Sequence, residues 1–297
     1  SIVYAAAENH YAQAEYAKAV ESFQKYITDN PNGLYTLKAK YLRAESLTLL
    51  KRYDEAFTGY EEVIKAGQSS FLPASLYKAA AIAYNQKQDM NRAYTYYTQY
   101  IPLASDEEQQ YEALMGALRS AYKLNKLEDV YAMSEKVINH PRATEDHKAL
   151  AHYYMAKIAY DHSSYDKALQ EFNAVIRVNS AELAAESRYY VASIYDRQGE
   201  STLAAKLAEE SARANVGYPF WVAKSLLLLT DIQYKAGDLL NARAILEAIV
   251  ENFKGDETIM KEANDKLAKV KTAEENQNRV KPATSDTLEM QTNPKKG

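Results

Sequence analysis

The sequence predicts an all-α fold of about seven stacked helix-turn-helix units closed by one further helix. Three observations predict it. A small or apolar residue recurs at Ala19, Ala56, Ala93, Val130, Ala168, Ala204 and Ala242, in steps of 37, 37, 37, 38, 36 and 38. Aromatic and aliphatic residues keep step with that anchor. Only 9 Gly and 7 Pro interrupt 297 residues, too few for a chain built on β-turns. A fixed period of this size is the mark of a repeat array.

The second helix of each unit follows from the offsets. Four residues after the anchor stand Phe23, Tyr60, Tyr97, Ser134, Phe172, Ala208 and Leu246. Eight after it stand Ile27, Ile64, Ile101, Ile138, Ile176, Ala212 and Val250, and three before it Tyr16, Tyr53, Met90, Leu127, Tyr165, Ser201 and Leu239. These offsets are read as one helical face. The first helix is fixed by Ala7, Ala44, Ala81, Leu118, Ala156, Ala192 and Thr230, twelve residues before each anchor, small where a partner helix crosses. Short polar turns join the pair, such as 51–52, 86–88, 161–164, 197–199 and 235–237. Breakers end it at 29–33, Gly67, Pro102, Pro141, Asn179, Asn215 to Gly217, and Gly255.

The units so bounded are 1–34, 36–70, 73–106, 110–143, 147–181, 183–217 and 220–255. A lone helix pair cannot cover both faces, so neighbours must stack into one continuous core. Residues 256–276 carry Ile259, Ala263, Leu267 and Val270 at helical spacing among charges, as a closing helix with a polar outer side requires. Residues 1–276 are therefore one array. Residues 277–297 are polar and patternless, and read as a disordered tail or linker. The start at Ser1, with Ile2 and Val3 uncovered, fits a mature chain or a piece of a longer array.

This pattern resembles the tetratricopeptide repeat family over residues 1 to about 254. The shared features are the small residue of the first helix, Gly199 and Gly237 in the turns, Tyr at −3, the Ala anchor and Phe or Tyr at +4. The resemblance implies a right-handed αα superhelix. The chain departs from it in a period near 37 instead of the family's 34, in Val130 and Ser134, and in Ser201 and Ala208. The fourth and sixth units should therefore pack least regularly.

In that family the first helices line a concave groove that holds partner segments. Carried over at offsets −15, −11 and −8, the groove positions include Tyr4, Tyr11, Tyr41, Met115, Arg119, Tyr122, Tyr153, Lys157, Tyr160, Tyr189 and Tyr234, with Lys78, Ile82 and Asn85 in the third unit. Eight of these twenty-one positions are Tyr, against 26 Tyr in 297 residues overall. Tyr offers rigid area and a polar tip at little entropic cost. Arg119, Lys123 and Lys157 give the middle of the groove a positive character that suits an acidic ligand or a terminal carboxylate. The Lys and Asn clamp of heat-shock co-chaperones is not reproduced: the matching positions hold Tyr4, Glu8 and Leu42, and later Tyr153, Lys157 and Tyr190.

The expected partner is thus a protein or peptide, held without catalysis. Net charge −4 and pI near 5.9 argue against nucleic acid. The greasiest stretch, Leu226 to Leu229, lies between Lys224 and Asp231, so no transmembrane segment is expected. Zero cysteine removes thiolate chemistry and disulfides. His147 and His152 stand about 140° apart on a helix and cannot share a metal. Glu61–Glu62 and Glu107–Glu108 read as solvated neighbours, and no phosphate-binding or nucleophile motif occurs. No cofactor or metal is expected, and the oligomeric state stays open. Two other readings are glycan binding and a glycan-cleaving helical toroid. Both would need longer insertions than this spacing leaves. The resemblance extends to envelope scaffolds of Gram-negative bacteria, which places the chain in the periplasm or cell envelope, with the cytoplasm as the alternative.

Overall fold

A computed structural model describes residues 1–178 and 181–292. Among the described residues there are fifteen α-helices and no strand. The first-helix series is α1 (Ile2–Ala12), α3 (Thr36–Leu49), α5 (Leu72–Ile82), α7 (Glu107–Lys123), α9 (Glu145–Asp161), α11 (Ala181–Arg197) and α13 (Pro219–Lys235). It alternates with α2 (Tyr16–Asp29), α4 (Tyr53–Lys65), α6 (Met90–Tyr100), α8 (Leu127–Ile138), α10 (Tyr165–Val178), α12 (Ser201–Ala214) and α14 (Leu239–Asn252). The final helix, α15, runs Glu257–Thr292. The consecutive helix-turn-helix architecture expected from the spacing is the one observed. Asn179 and residues 293–297 of the expected tail lie outside the described residues.

All seven anchors are fully buried. Their +4 partners are buried too, from Phe23 at 0% to Tyr97 at 7% exposed. The third row of this face is not at +8, where Ile27, Ile64, Ile101, Ile138, Ile176, Ala212 and Val250 are only half-buried. It lies at +7, where Tyr26, Tyr100, Val63, Val137, Val175, Ser211 and Ile249 are buried. Seven residues turn a helix about 20° short of two full turns, whereas eight overshoot by about 80°. The inward stripe is therefore narrower than the sequence suggested.

The turns share one geometry. Five residues before each anchor the backbone is left-handed, at Ala14, Lys51, Gln88, Asn125, Ser163, Gly199 and Gly237, with φ between 54° and 82°. In six turns the next N–H bonds the carbonyl five residues back, as Arg52 to Leu47 and Lys126 to Ala121. In the third turn Asp89 reaches back six residues, to Ala83, because α5 ends in a π turn over Ala83–Lys87. A π turn accommodates one extra residue. The crossing residue shifts with it: Ala80 and Ala83 are fully buried, while Ala81 is half-buried.

The irregular unit is thus the third. In the fourth and sixth, Val130, Ser134, Ala204 and Ala208 are all fully buried in register. What Ser134 leaves behind is chemical: its buried Oγ has no hydrogen-bond partner. Ser134→Ala should therefore stabilise the protein by about 1 kcal/mol, read as an upward shift of the denaturation midpoint. A loss of stability would mean the hydroxyl is satisfied after all.

The chain forms two compact units, Ser1–Ile158 and Ala159–Gly297. In unit 1 a core runs from Val20 and Leu47 through Leu76, Leu114 and Leu118 to Met155 and Ile158. A smaller cluster, Tyr4, Ala7, Ala19, Phe23, Tyr26 and Ala39, fills its first hairpin. In unit 2, Ala192, Ala204, Ala208 and Leu228 form one cluster, and Leu227, Leu246, Ile249, Ile259, Leu267 and Val270 another. Each large side chain fully buried in this way contributes about 1.5–3 kcal/mol. On α15 the inward positions end near Ala273, which packs against the last cluster.

Candidate functional site

The first helices of unit 1 present a wall of half-buried rings. Two of the expected wall residues sit below it. Tyr4 is 5% exposed, stacked on Tyr35 at 4.5 Å, and donates its hydroxyl to Glu8; Met115 is 3% exposed. Tyr11 and Tyr41 are half-buried, the latter stacked on Phe71 at 5.3 Å. Tyr122 stacks on Tyr154 at 4.1 Å, and Tyr153 tilts against the same ring at 6.1 Å. Arg119 is half-buried on α7, with the Tyr154 phenol beside it, and Lys157 is half-buried on α9.

Sequence spacing missed three rings of this wall. The π turn rotates α5 by one residue, so Tyr77, Ala81 and Tyr84 stand where Lys78, Ile82 and Asn85 were expected. Ile82 is buried, 5% exposed. The Tyr84 ring lies under the Lys123 ammonium at 4.7 Å. Tyr154 is the third, one residue beyond the −15 offset that pointed to Tyr153.

Many tyrosine hydroxyls are spent on carboxylates of the neighbouring repeat. Tyr77 donates to Glu112, and Tyr96 to Glu61 at 2.5 Å. Burial first, then the carboxylate, raises both phenols above their ordinary range. Tyr111 bonds His147 at 2.6 Å and stacks on His140 at 4.8 Å. Burial, and then the Arg119 charge, lowers the His147 pKa, which favours a neutral ring. Tyr111, Met115, Arg119 and His147 line a cleft of about 330 Å³ with Glu108, Glu112 and Arg142. Arg142 is paired with Glu107 at 3.6 Å.

Unit 2 carries its own series. Tyr160 meets Tyr190 edge-on at 4.9 Å, shares a 2.9 Å hydrogen bond with Ser193, and lies under Arg197 at 5.0 Å. Tyr189 packs against Trp221 at 5.7 Å, with Lys224 above its ring at 5.7 Å. Tyr234 lies under Lys269 of α15 at 4.8 Å, and Lys266 from the same helix pairs with Asp231. The closing helix thus reaches over the end of this series. Among the described residues no three His, Asp or Glu side chains converge as a metal site, and no helix is long and apolar enough to cross a membrane.

Residues 4–71 and 153–219 match the tetratricopeptide repeat model. Both stretches carry tetratricopeptide repeats. Solved structures agree on the fold at low identity. The C-terminal part of a tetratricopeptide repeat protein from Cytophaga hutchinsonii is 15% identical, with TM-score 0.53 over 87% of this chain and 98% of that one. RapI in its apo form is 15% identical, with TM-score 0.55 over 98% and 92%. The structure of Naa15/Naa10 bound to HypK-THB is 12% identical, with TM-score 0.53 over 90% of this chain and 38% of that one. No curated protein matches the sequence.

Proposed function

We propose that this repeat chain is a non-catalytic scaffold that binds partner-protein segments on the tyrosine-lined first helices of its units. The observation that carries the reading is the half-burial of Tyr11, Tyr41, Tyr122, Tyr153, Tyr160, Tyr189 and Tyr234. Rings held in place by neighbours, yet open on one side, give contact area at little further entropic cost. The Naa15/Naa10 structure, which shares the fold, is itself a protein bound to another, HypK-THB.

Affinity capture from the source organism, with wild type and a Tyr122→Ala/Tyr160→Ala variant, tests it. Each ring should contribute about 1–2 kcal/mol, so captured partners should drop by more than tenfold. An identical partner set from both proteins would sink the reading. Placement in the periplasm or cell envelope belongs to the same proposal. Osmotic-shock fractionation that leaves the native protein wholly in the cytosolic fraction would end that part.

A further inference from the structure

Arg119 is a half-buried cation that no carboxylate answers. Among the described residues neither it nor Lys123, one turn on, takes part in an ion pair. Several cations elsewhere on the first helices are answered, Lys38 by Glu8 at 3.1 Å, Lys40 by Glu62 at 3.7 Å and, in unit 2, Lys224 by Glu262 at 3.3 Å, although among the described residues Lys78 of α5 is not. The Arg119 charge acts on three phenols, those of Tyr154, Tyr97 and Tyr111, and on the His147 ring in the same cleft. Burial raises all three, so they remain neutral and leave the guanidinium charge unbalanced. Glu112 and Glu108 share the cleft but stand about 10 Å and 16 Å back along α7 by helical rise.

Resting on the peptide-binding reading above, we propose that Arg119 takes the side-chain carboxylate of an Asp or Glu in a segment crossing α5, α7 and α9. A guanidinium grips a carboxylate with two parallel hydrogen bonds, and the pairing strengthens where rings exclude water. The rings are in place on both sides: Tyr84 on the α5 side, and the Tyr122–Tyr154 stack on the α9 side. A side-chain carboxylate lets the bound chain continue across both. A terminal carboxylate would leave one flank uncovered.

The test uses the full chain and an array of short C-terminally amidated peptides, randomised around one central Glu or Gln, with the best binders re-measured by fluorescence anisotropy. The Glu peptides should bind at least about tenfold tighter than their Gln counterparts. Arg119→Gln should abolish that preference, and Arg119→Lys should keep part of it. Tyr153→Ala should weaken both peptides and leave the preference intact. Circular dichroism confirms that each variant is folded. Equal binding of Glu and Gln peptides overturns the proposal. So does a preference that survives in Arg119→Gln, or a gain that comes only from restoring a free C terminus. Failure of every peptide to bind wild type sinks the peptide-binding reading together with this one.

Discussion

Raising the pH through about 10 should unfold unit 1 before unit 2. Five tyrosines of unit 1 are buried with raised pKa values: Tyr4, Tyr60, Tyr97, Tyr100 and Tyr111, from 0% to 8% exposed. Burial is the largest cause in each. Carboxylates add to it, Glu8 on Tyr4 and Glu45 on Tyr60, and Tyr97 is pushed up to about 12. A phenol whose folded pKa is raised gives its full stabilisation below the unfolded value of about 10, and loses it as pH climbs toward the folded value. Each such phenol costs about 1.4 kcal/mol per pH unit in that window. The three with the largest shifts, Tyr4, Tyr60 and Tyr97, together remove roughly 4 kcal/mol per unit, a large part of a domain's stability.

Unit 2 is less exposed to this effect. Tyr189 is raised but only half-buried, and Tyr165 is lowered by its hydrogen bonds to Ser163 and Arg197. The single Trp, Trp221, lies in unit 2 and reports on it alone. Helical ellipticity should therefore fall in a first alkaline step while the Trp221 emission wavelength holds, and that wavelength should move in a second step. One coincident transition would show that the buried phenols of unit 1 do not set the order.

How much of this was legible beforehand depends on what spacing can record. The anchors are fully buried because a small side chain is the one thing a close helix crossing cannot do without, and such a demand leaves a clear trace. The π turn left none. It adds one residue before α6, and α4 is 13 residues long where α2 has 14, so the anchor step stays at 37. The insertion and the deletion cancel in the count while the face of α5 rotates. That is why Tyr77 and Tyr84 were overlooked and Lys78 and Ile82 were expected on the wall. Tyr4 and Met115 show a different limit. Offsets assign a direction from the helix axis, not a depth, and Tyr35 from the next loop covers Tyr4. Nor can a single sequence show that Glu61 and Glu112 are occupied by tyrosine hydroxyls, since those bonds depend on packing between repeats.

Gly116→Val should cost about 3 kcal/mol and should also disturb the Arg119 cleft. Gly116 sits in the middle of α7, where glycine is about 1 kcal/mol worse than alanine, so a contact must offset that cost. The contact is the Tyr97 ring: a Cβ added at Gly116 would lie 2.5, 2.7 and 2.8 Å from three of its atoms. The ring cannot simply move aside, because it is 7% exposed and wedged edge-on against Tyr77 at 6.4 Å. Gly116→Ala meets the same atoms with less bulk and regains helix propensity, so its loss should be smaller than that of Val. The decisive comparison is the Val substitution in a Tyr97→Ala background. Where the ring is gone, the penalty should shrink by at least about 1 kcal/mol in a denaturation cycle. An unchanged penalty would mean that something other than the ring fixes glycine here. Because the Arg119 charge also acts on the Tyr97 phenol, a displaced ring should erode the preference for Glu over Gln peptides although Arg119 itself is intact.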